Sequence, residues 1–67
     1  MFFKTESGST YTVDPERKTV MGPGTGDREV PYVAMSSVLT HSPVVFRLVI
    51  DGAIKVMTTS SVVWSHA

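Results

Sequence analysis

Near the start of the chain, apolar and polar residues alternate with the period of two that is typical of β-strands. Phe2 to Glu6 and Thr10 to Asp14 show this alternation, and Ser7-Gly8-Ser9 separates them. A three-residue turn with Gly8 in the left-handed conformation pairs Phe3 with Tyr11 and sorts the side chains by polarity, whereas a two-residue turn mixes them. We therefore predict a bulged hairpin with Met1, Phe3, Tyr11 and Val13 on one face and Phe2, Lys4, Glu6, Thr10, Thr12 and Asp14 on the other.

A second hairpin is predicted near the end of the chain, where Val44 to Ile50 and Ala53 to Thr58 flank Asp51-Gly52. Asp-Gly between apolar runs is typical of a type I′ turn. Its two-residue loop places Phe46, Leu48, Ile50, Ala53, Lys55 and Met57 on one face and Val45, Arg47, Val49, Ile54, Val56 and Thr58 on the other. Both faces are mainly apolar, so either barrel closure by the last strand covers the second face or that face is an interface.

The segments between the hairpins complete an all-β pattern. Asp14 to Arg17 reads as a turn, Lys18 to Met21 as a strand, and residues 22–29 as a flexible glycine-rich loop without apolar side chains. Val30 to Thr40 resumes the strand pattern with a bulge or bend at Ser36-Ser37, and Val62 to Trp64 forms a last strand. We predict one domain over residues 1–67, a small antiparallel barrel or rolled meander of about six short strands, similar in pattern to SH3-like barrels.

The composition favours β-strands and limits the kinds of interaction that could stabilise so small a domain. Val, Ile and Thr number 21 against five for Ala and Leu, and β-branched side chains favour pleated surfaces. Cysteine is absent, which excludes disulfides and cysteine zinc sites and leaves oligomerisation as the route to extra stability for so small a domain. Without a signal peptide or an apolar span, the chain is expected to be soluble and cytoplasmic.

Charged residues are unevenly distributed. Six basic and six acidic side chains cancel, and nine of these twelve lie within residues 1–29. The later apolar half supplies the candidate interaction surface: Val45, Phe46, Arg47, Leu48, Val49, Ile54, Lys55, Val56 and Trp64. A second candidate is a partner contact in the glycine-rich loop through Asp27, Arg28 and Glu29.

Catalytic chemistry is not indicated. Gly22, Gly24 and Gly26 lack the spacing and the following helix of a phosphate-binding loop. His41 adjoins Ser42 in a predicted turn, but no carboxylate is placed to orient its imidazole. We therefore expect no enzyme activity, no catalytic residue, no metal site and no cofactor.

Two alternatives to a protein-binding role stay open. Phe2, Tyr32 and Trp64 could stack on bases of single-stranded nucleic acid, with Lys4, Arg47 and Lys55 as phosphate contacts, although the zero net charge opposes this. The other alternative is an oligomeric binder of a small ligand, such as a nucleotide signal, in a pocket between subunits.

The opening segment Phe3 to Asp14, with its Lys-Thr run, Ser-Gly-Ser turn and Tyr-x-apolar-Asp strand, resembles the start of a set of small uncharacterised proteins of actinobacterial phages and their hosts. The resemblance covers roughly the first fifth of the chain and implies a phage or prophage origin. Such proteins commonly bind host components. We therefore expect a non-catalytic accessory protein of the host cytoplasm that binds a host protein, itself, or both.

Overall fold

The computed structural model describes all residues 1–67 and shows an all-β chain, as predicted. Its only helical element is a single 3-10 turn over Pro23–Thr25. There are seven strands: β1 (Phe2–Thr5), β2 (Thr10–Asp14), β3 (Thr19–Met21), β4 (Val30–Met35), β5 (Val45–Ile50), β6 (Ala53–Thr58) and β7 (Val62–His66).

All seven strands belong to one antiparallel sheet in the order β6-β5-β4-β3-β2-β1-β7. Each of β1 to β6 pairs with its neighbour in sequence, and β7 returns to pair with β1. Strands β6 and β7 do not pair, so the sheet is not a closed barrel.

The sheet is strongly rolled. Four strand spacings separate β1 from β5, which is roughly 19 Å across a flat sheet. The rings of Phe3 and Phe46 nevertheless lie 6.4 Å apart. This contact requires the sheet to curl around its inner face, where the core lies: Phe3, Tyr11, Val13, Val20, Tyr32, Val44, Phe46, Leu48 and Val62.

The first hairpin has the predicted register. Phe3 is opposite Tyr11, and the backbones of Met1 and Val13 exchange hydrogen bonds of 2.9 and 2.7 Å. Gly8 has a φ of 86°, which an L side chain rarely adopts and which the turn requires. The sorting of polar from apolar side chains therefore specifies this register.

The Asp51-Gly52 hairpin is also as predicted. Both turn residues have positive φ, 51° and 77°, as a type I′ turn demands. Its six residue pairs run without a bulge from Ile50 opposite Ala53 to Val45 opposite Thr58.

The predicted strand over residues 30–40 is too long. Strand β4 ends at Met35, and its irregularity lies between Tyr32 and Ala34 rather than at Ser36-Ser37. The hydroxyl of Ser36 instead accepts a hydrogen bond from the Val45 amide. The chain then leaves the sheet and returns at Thr40, which forms a parallel bridge with Val62.

The glycine-rich segment has more local structure than its composition predicts. The Gly24 amide donates to the Tyr11 hydroxyl over 3.2 Å, and the Thr25 hydroxyl accepts from the Gly22 amide over 3.1 Å. A β-carbon at Gly22 would overlap the Tyr11 ring. These glycines therefore permit close packing over β2, and the segment is not a plain connection; its flexibility stays a prediction.

Candidate interaction surface

The last hairpin presents an apolar face to solvent. We define the outer hairpin face as the side of β5 and β6 that points away from the core: Val45, Arg47, Val49, Ile54, Val56 and Thr58. Ile54 is 52% exposed and Val56 is 62% exposed. Strand β7 pairs with β1 and does not cover this face. The interpretation that barrel closure buries it is therefore wrong, and the alternative that this face is an interface stays a prediction.

Strand β4 extends the outer hairpin face. Ala34 is opposite Arg47 in the ladder, and Val33 is 54% exposed beside the irregularity in β4. The single ion pair of the structure lies elsewhere, so Arg47 has no salt-bridge partner. The hydrophobic alternation of β4 alone could not identify Val33 as part of this surface, because its orientation depends on the register shift.

Several residues predicted for the interaction surface lie elsewhere. Phe46 and Leu48 are 0% and 2% exposed and belong to the core, which corrects their assignment to a contact surface. Lys55 is opposite Leu48 and so lies on the other face of the hairpin, although it is exposed. Trp64 lies on β7, at the opposite end of the strand order.

A second exposed cluster lies on the outer face of β1 and β7. The ring of Phe2 makes an edge contact with Trp64 at 5.3 Å and stacks on His66 at 5.4 Å. Lys4 is opposite Trp64 in the ladder. From the sequence, Phe2 and Trp64 could be named only as individual candidate aromatic residues. The pairing of β1 with β7 brings them together with His66.

The six residues predicted to contact nucleic acid do not form one surface. Tyr32 is buried against Phe46 in the core and cannot stack on a base. Arg47 and Lys55 lie on opposite faces of the hairpin. Of the six predicted residues, the structure brings together Phe2, Lys4 and Trp64.

The three loop residues predicted to contact a partner are exposed, but one of them already forms an ion pair within the chain. Asp27, Arg28 and Glu29 are all exposed, and a carboxylate oxygen of Glu29 lies 2.8 Å from the guanidinium of Arg17. Asp27 adopts a φ of 59° two positions after the 3-10 turn. The ion pair between Arg17 and Glu29 connects the loop to the turn between β2 and β3.

A shallow, open cavity of about 410 Å³ lies between Met1, Tyr32, Met35 and residues 36–38. Five of its eight lining residues are hydrophobic and none has a charged side chain. A nucleotide phosphate would find no cationic side chain there. No group of three or more His, Cys, Asp or Glu side chains is placed to hold a metal ion.

No family model, curated protein or solved structure matches this chain. No helix has the length and apolar character needed to cross a membrane.

Proposed function

We propose that this chain is a non-catalytic accessory protein of phage type that acts by protein–protein interaction in the cytoplasm of a bacterial host. The observation that carries the proposal is the outer hairpin face, where Val45, Ile54 and Val56 are exposed on two adjacent strands. The resemblance of the first hairpin to small actinobacterial phage proteins supports the phage origin.

A contrast within the same sheet supports an interaction role. Apart from the exposed Phe2, the outer side of the first hairpin carries Lys4, Thr10 and Thr12, which suit a solvated surface. The outer hairpin face instead carries Val45, Val49, Ile54 and Val56, and burying apolar surface contributes roughly 25 cal/mol for each Å² removed from water. Since solvation alone favours polar residues at these positions, the apolar ones point to a protein partner.

The test is a double substitution, Arg47→Glu with Val49→Asp. It reverses one charge and adds another on the outer hairpin face without altering a core residue. The control is Leu39→Asp, because it introduces the same acidic side chain at an exposed apolar residue, 59%, in the loop after β4. Both variants should keep the far-ultraviolet circular dichroism of a β protein.

Each variant is tagged and used to capture proteins from host lysate, with and without nuclease, and self-association is measured in parallel. We expect the double variant to lose a nuclease-resistant host partner, self-association, or both, while Leu39→Asp retains them. Undiminished association of a folded double variant would place the contact surface elsewhere.

A second candidate function is single-strand nucleic-acid binding through Phe2, Trp64 and Lys4, which the aromatic cluster of β1 and β7 favours. Trp64 is the only tryptophan of the chain, so its fluorescence reports directly on this cluster. Binding would quench the fluorescence on addition of an oligonucleotide and weaken steeply with salt. Unchanged fluorescence at low salt would remove this candidate.

A further inference from the structure

Strand β6 is an edge of the sheet, and its outward backbone groups make no hydrogen bond to another segment. It pairs with β5 on one side only, and nearly all its residues are exposed. Natural sheets protect such edges with proline, bulges, charged side chains or a covering segment. Strand β6 has no proline and no bulge. Its protection is limited to Lys55, which lies on the inner face, and to the glycine-rich segment, whose Gly24 approaches the Met57 side chain.

The other edge of the sheet is partly protected. Strand β7 has a register irregularity opposite Lys4 and Thr5, and the returning chain at Thr40 pairs with Val62 at its start. The His41 amide also donates to the Val62 carbonyl over 2.8 Å. The regular edge available for pairing is therefore the one on β6.

The backbone groups that β6 directs to solvent follow from its pairing with β5. The Thr59 amide donates to the Val44 carbonyl, so Val44 and Thr59 occupy a hydrogen-bonded position of the ladder. In an antiparallel ladder every second pair is hydrogen-bonded. The intervening residues of β6, which are Ile54, Val56 and Thr58, therefore direct their N–H and C=O groups away from β5, and their side chains lie on the outer hairpin face.

We propose that β6 pairs antiparallel with β6 of a second copy of this chain, about a two-fold axis at Val56. The proposal rests on the proposed function and names a second copy of the chain as the partner at the strand edge that adjoins the outer hairpin face. In this register Val56 faces Val56 of the second copy and Ile54 faces Thr58. Every outward N–H and C=O group of these residues then finds a partner, and the outer hairpin faces of the two copies become one continuous apolar surface.

In pairing with a second copy, charge favours this register over the neighbouring one. With Val56 on the axis, Lys55 faces Met57 of the second copy, so no like charges are opposed. A shift that pairs Ile54 with Val56 would place Lys55 directly opposite Lys55, which is unfavourable. The edge can thus pair with a second copy in a register that satisfies its outward hydrogen bonds and opposes no like charges. A 67-residue domain without disulfides also gains stability by association.

Because the chain contains no cysteine, a variant with one introduced cysteine can form a disulfide-linked dimer only through that position. Single cysteine substitutions therefore test the register. Residues in a hydrogen-bonded antiparallel pair have α-carbons about 5.5 Å apart, within the range of a disulfide. Val56→Cys should therefore form a covalent dimer under mild oxidation. Ile54→Cys is the matched control on the same face, because two Ile54 residues would lie four positions out of register, roughly 13 Å apart along the strands.

Amide hydrogen exchange of the unmodified chain supplies a second measurement. The amides of Lys55 and Met57 bond to β5 and should be protected at every protein concentration. The amides of Ile54, Val56 and Thr58 should exchange rapidly at low concentration and become protected as the chain dimerises. Sedimentation over the same concentrations should show the mass double.

The outcomes separate this proposal from the proposed function. A disulfide through Val56→Cys but not Ile54→Cys, with protection that depends on concentration, supports self-pairing. The reverse disulfide pattern, or a strict monomer, overturns it. Protection of Val56 only after addition of a captured host protein also overturns it, because another chain then occupies the edge. Loss of host capture in the Arg47→Glu and Val49→Asp variant is scored independently and can stand while self-pairing fails.

Discussion

Replacement of Phe46 by leucine tests which face of the last hairpin belongs to the core. Phe46 is fully buried, with its ring centroid 5.9 Å from that of Tyr32 in an edge arrangement and 6.4 Å from that of Phe3. The adjacent Val45 is part of the outer hairpin face and is 37% exposed. Val45→Leu introduces the same side chain one position away and is the matched control.

The size of the effect follows from what the ring contacts. Truncating a buried Phe to Ala costs about 3–5 kcal/mol, and an aromatic pair contributes about 0.5–1.5 kcal/mol beyond its buried area. Leucine retains part of the volume, so Phe46→Leu should cost about 1–2 kcal/mol of unfolding free energy. A domain of this length has roughly 3–10 kcal/mol in total. Val45→Leu should stay within about 0.5 kcal/mol of the parent chain.

Urea unfolding followed by circular dichroism measures both variants at one fixed protein concentration, since association contributes to apparent stability. In thermal unfolding, Phe46→Leu should lower the melting temperature by roughly 4–16 °C. Equal losses in the two variants, or a larger loss for Val45→Leu, would show that the buried and outer faces of the hairpin are assigned the wrong way round.

Three further substitutions test individual contacts by thermal or urea unfolding. Thr59→Val should cost about 1–3 kcal/mol, because it removes the hydroxyl that accepts from the buried Val44 amide over 3.0 Å; no loss would mean that water satisfies this amide. Gly22→Ala should cost about 1–3 kcal/mol through overlap with the Tyr11 ring, and an unchanged midpoint would show that the loop does not pack there. Glu29→Gln breaks an exposed ion pair and should cost less than about 0.5 kcal/mol; a larger loss would reveal a structural role for the loop.

The two hairpins were predictable because their determinants are local. Gly8 and Asp51-Gly52 require positive φ at defined turn positions, and the alternation in Phe2 to Asp14 allows one register that separates polar from apolar side chains. Neither inference needs information from a distant part of the chain.

The burial of Phe46 and Leu48 was not predictable in the same way. Both faces of the last hairpin are apolar, so alternation cannot say which one faces inward. The choice depends on the curl of the sheet that brings Phe46 to Phe3, 43 positions away. The same long-range geometry brings Phe2, Trp64 and His66 together.

The packing of the glycine-rich segment could not be predicted for a different reason. Its composition indicates flexibility, but Gly22 and Gly24 are needed because Tyr11 approaches their backbones closely. Sequence alone cannot distinguish a glycine that provides freedom from one that provides space.

The return of β7 to β1 has a consequence for the order of folding. The first hairpin joins residues eight positions apart, such as Phe3 and Tyr11, whereas Phe3 and Ser65 are 62 positions apart. Closing the longer loop costs about 2 kcal/mol more in chain entropy. The six sequential strands can therefore assemble by local contacts first, with β7 docking last. In the native state, β7 should also be the first strand to detach, opening the edge of β1 while the other six strands stay paired.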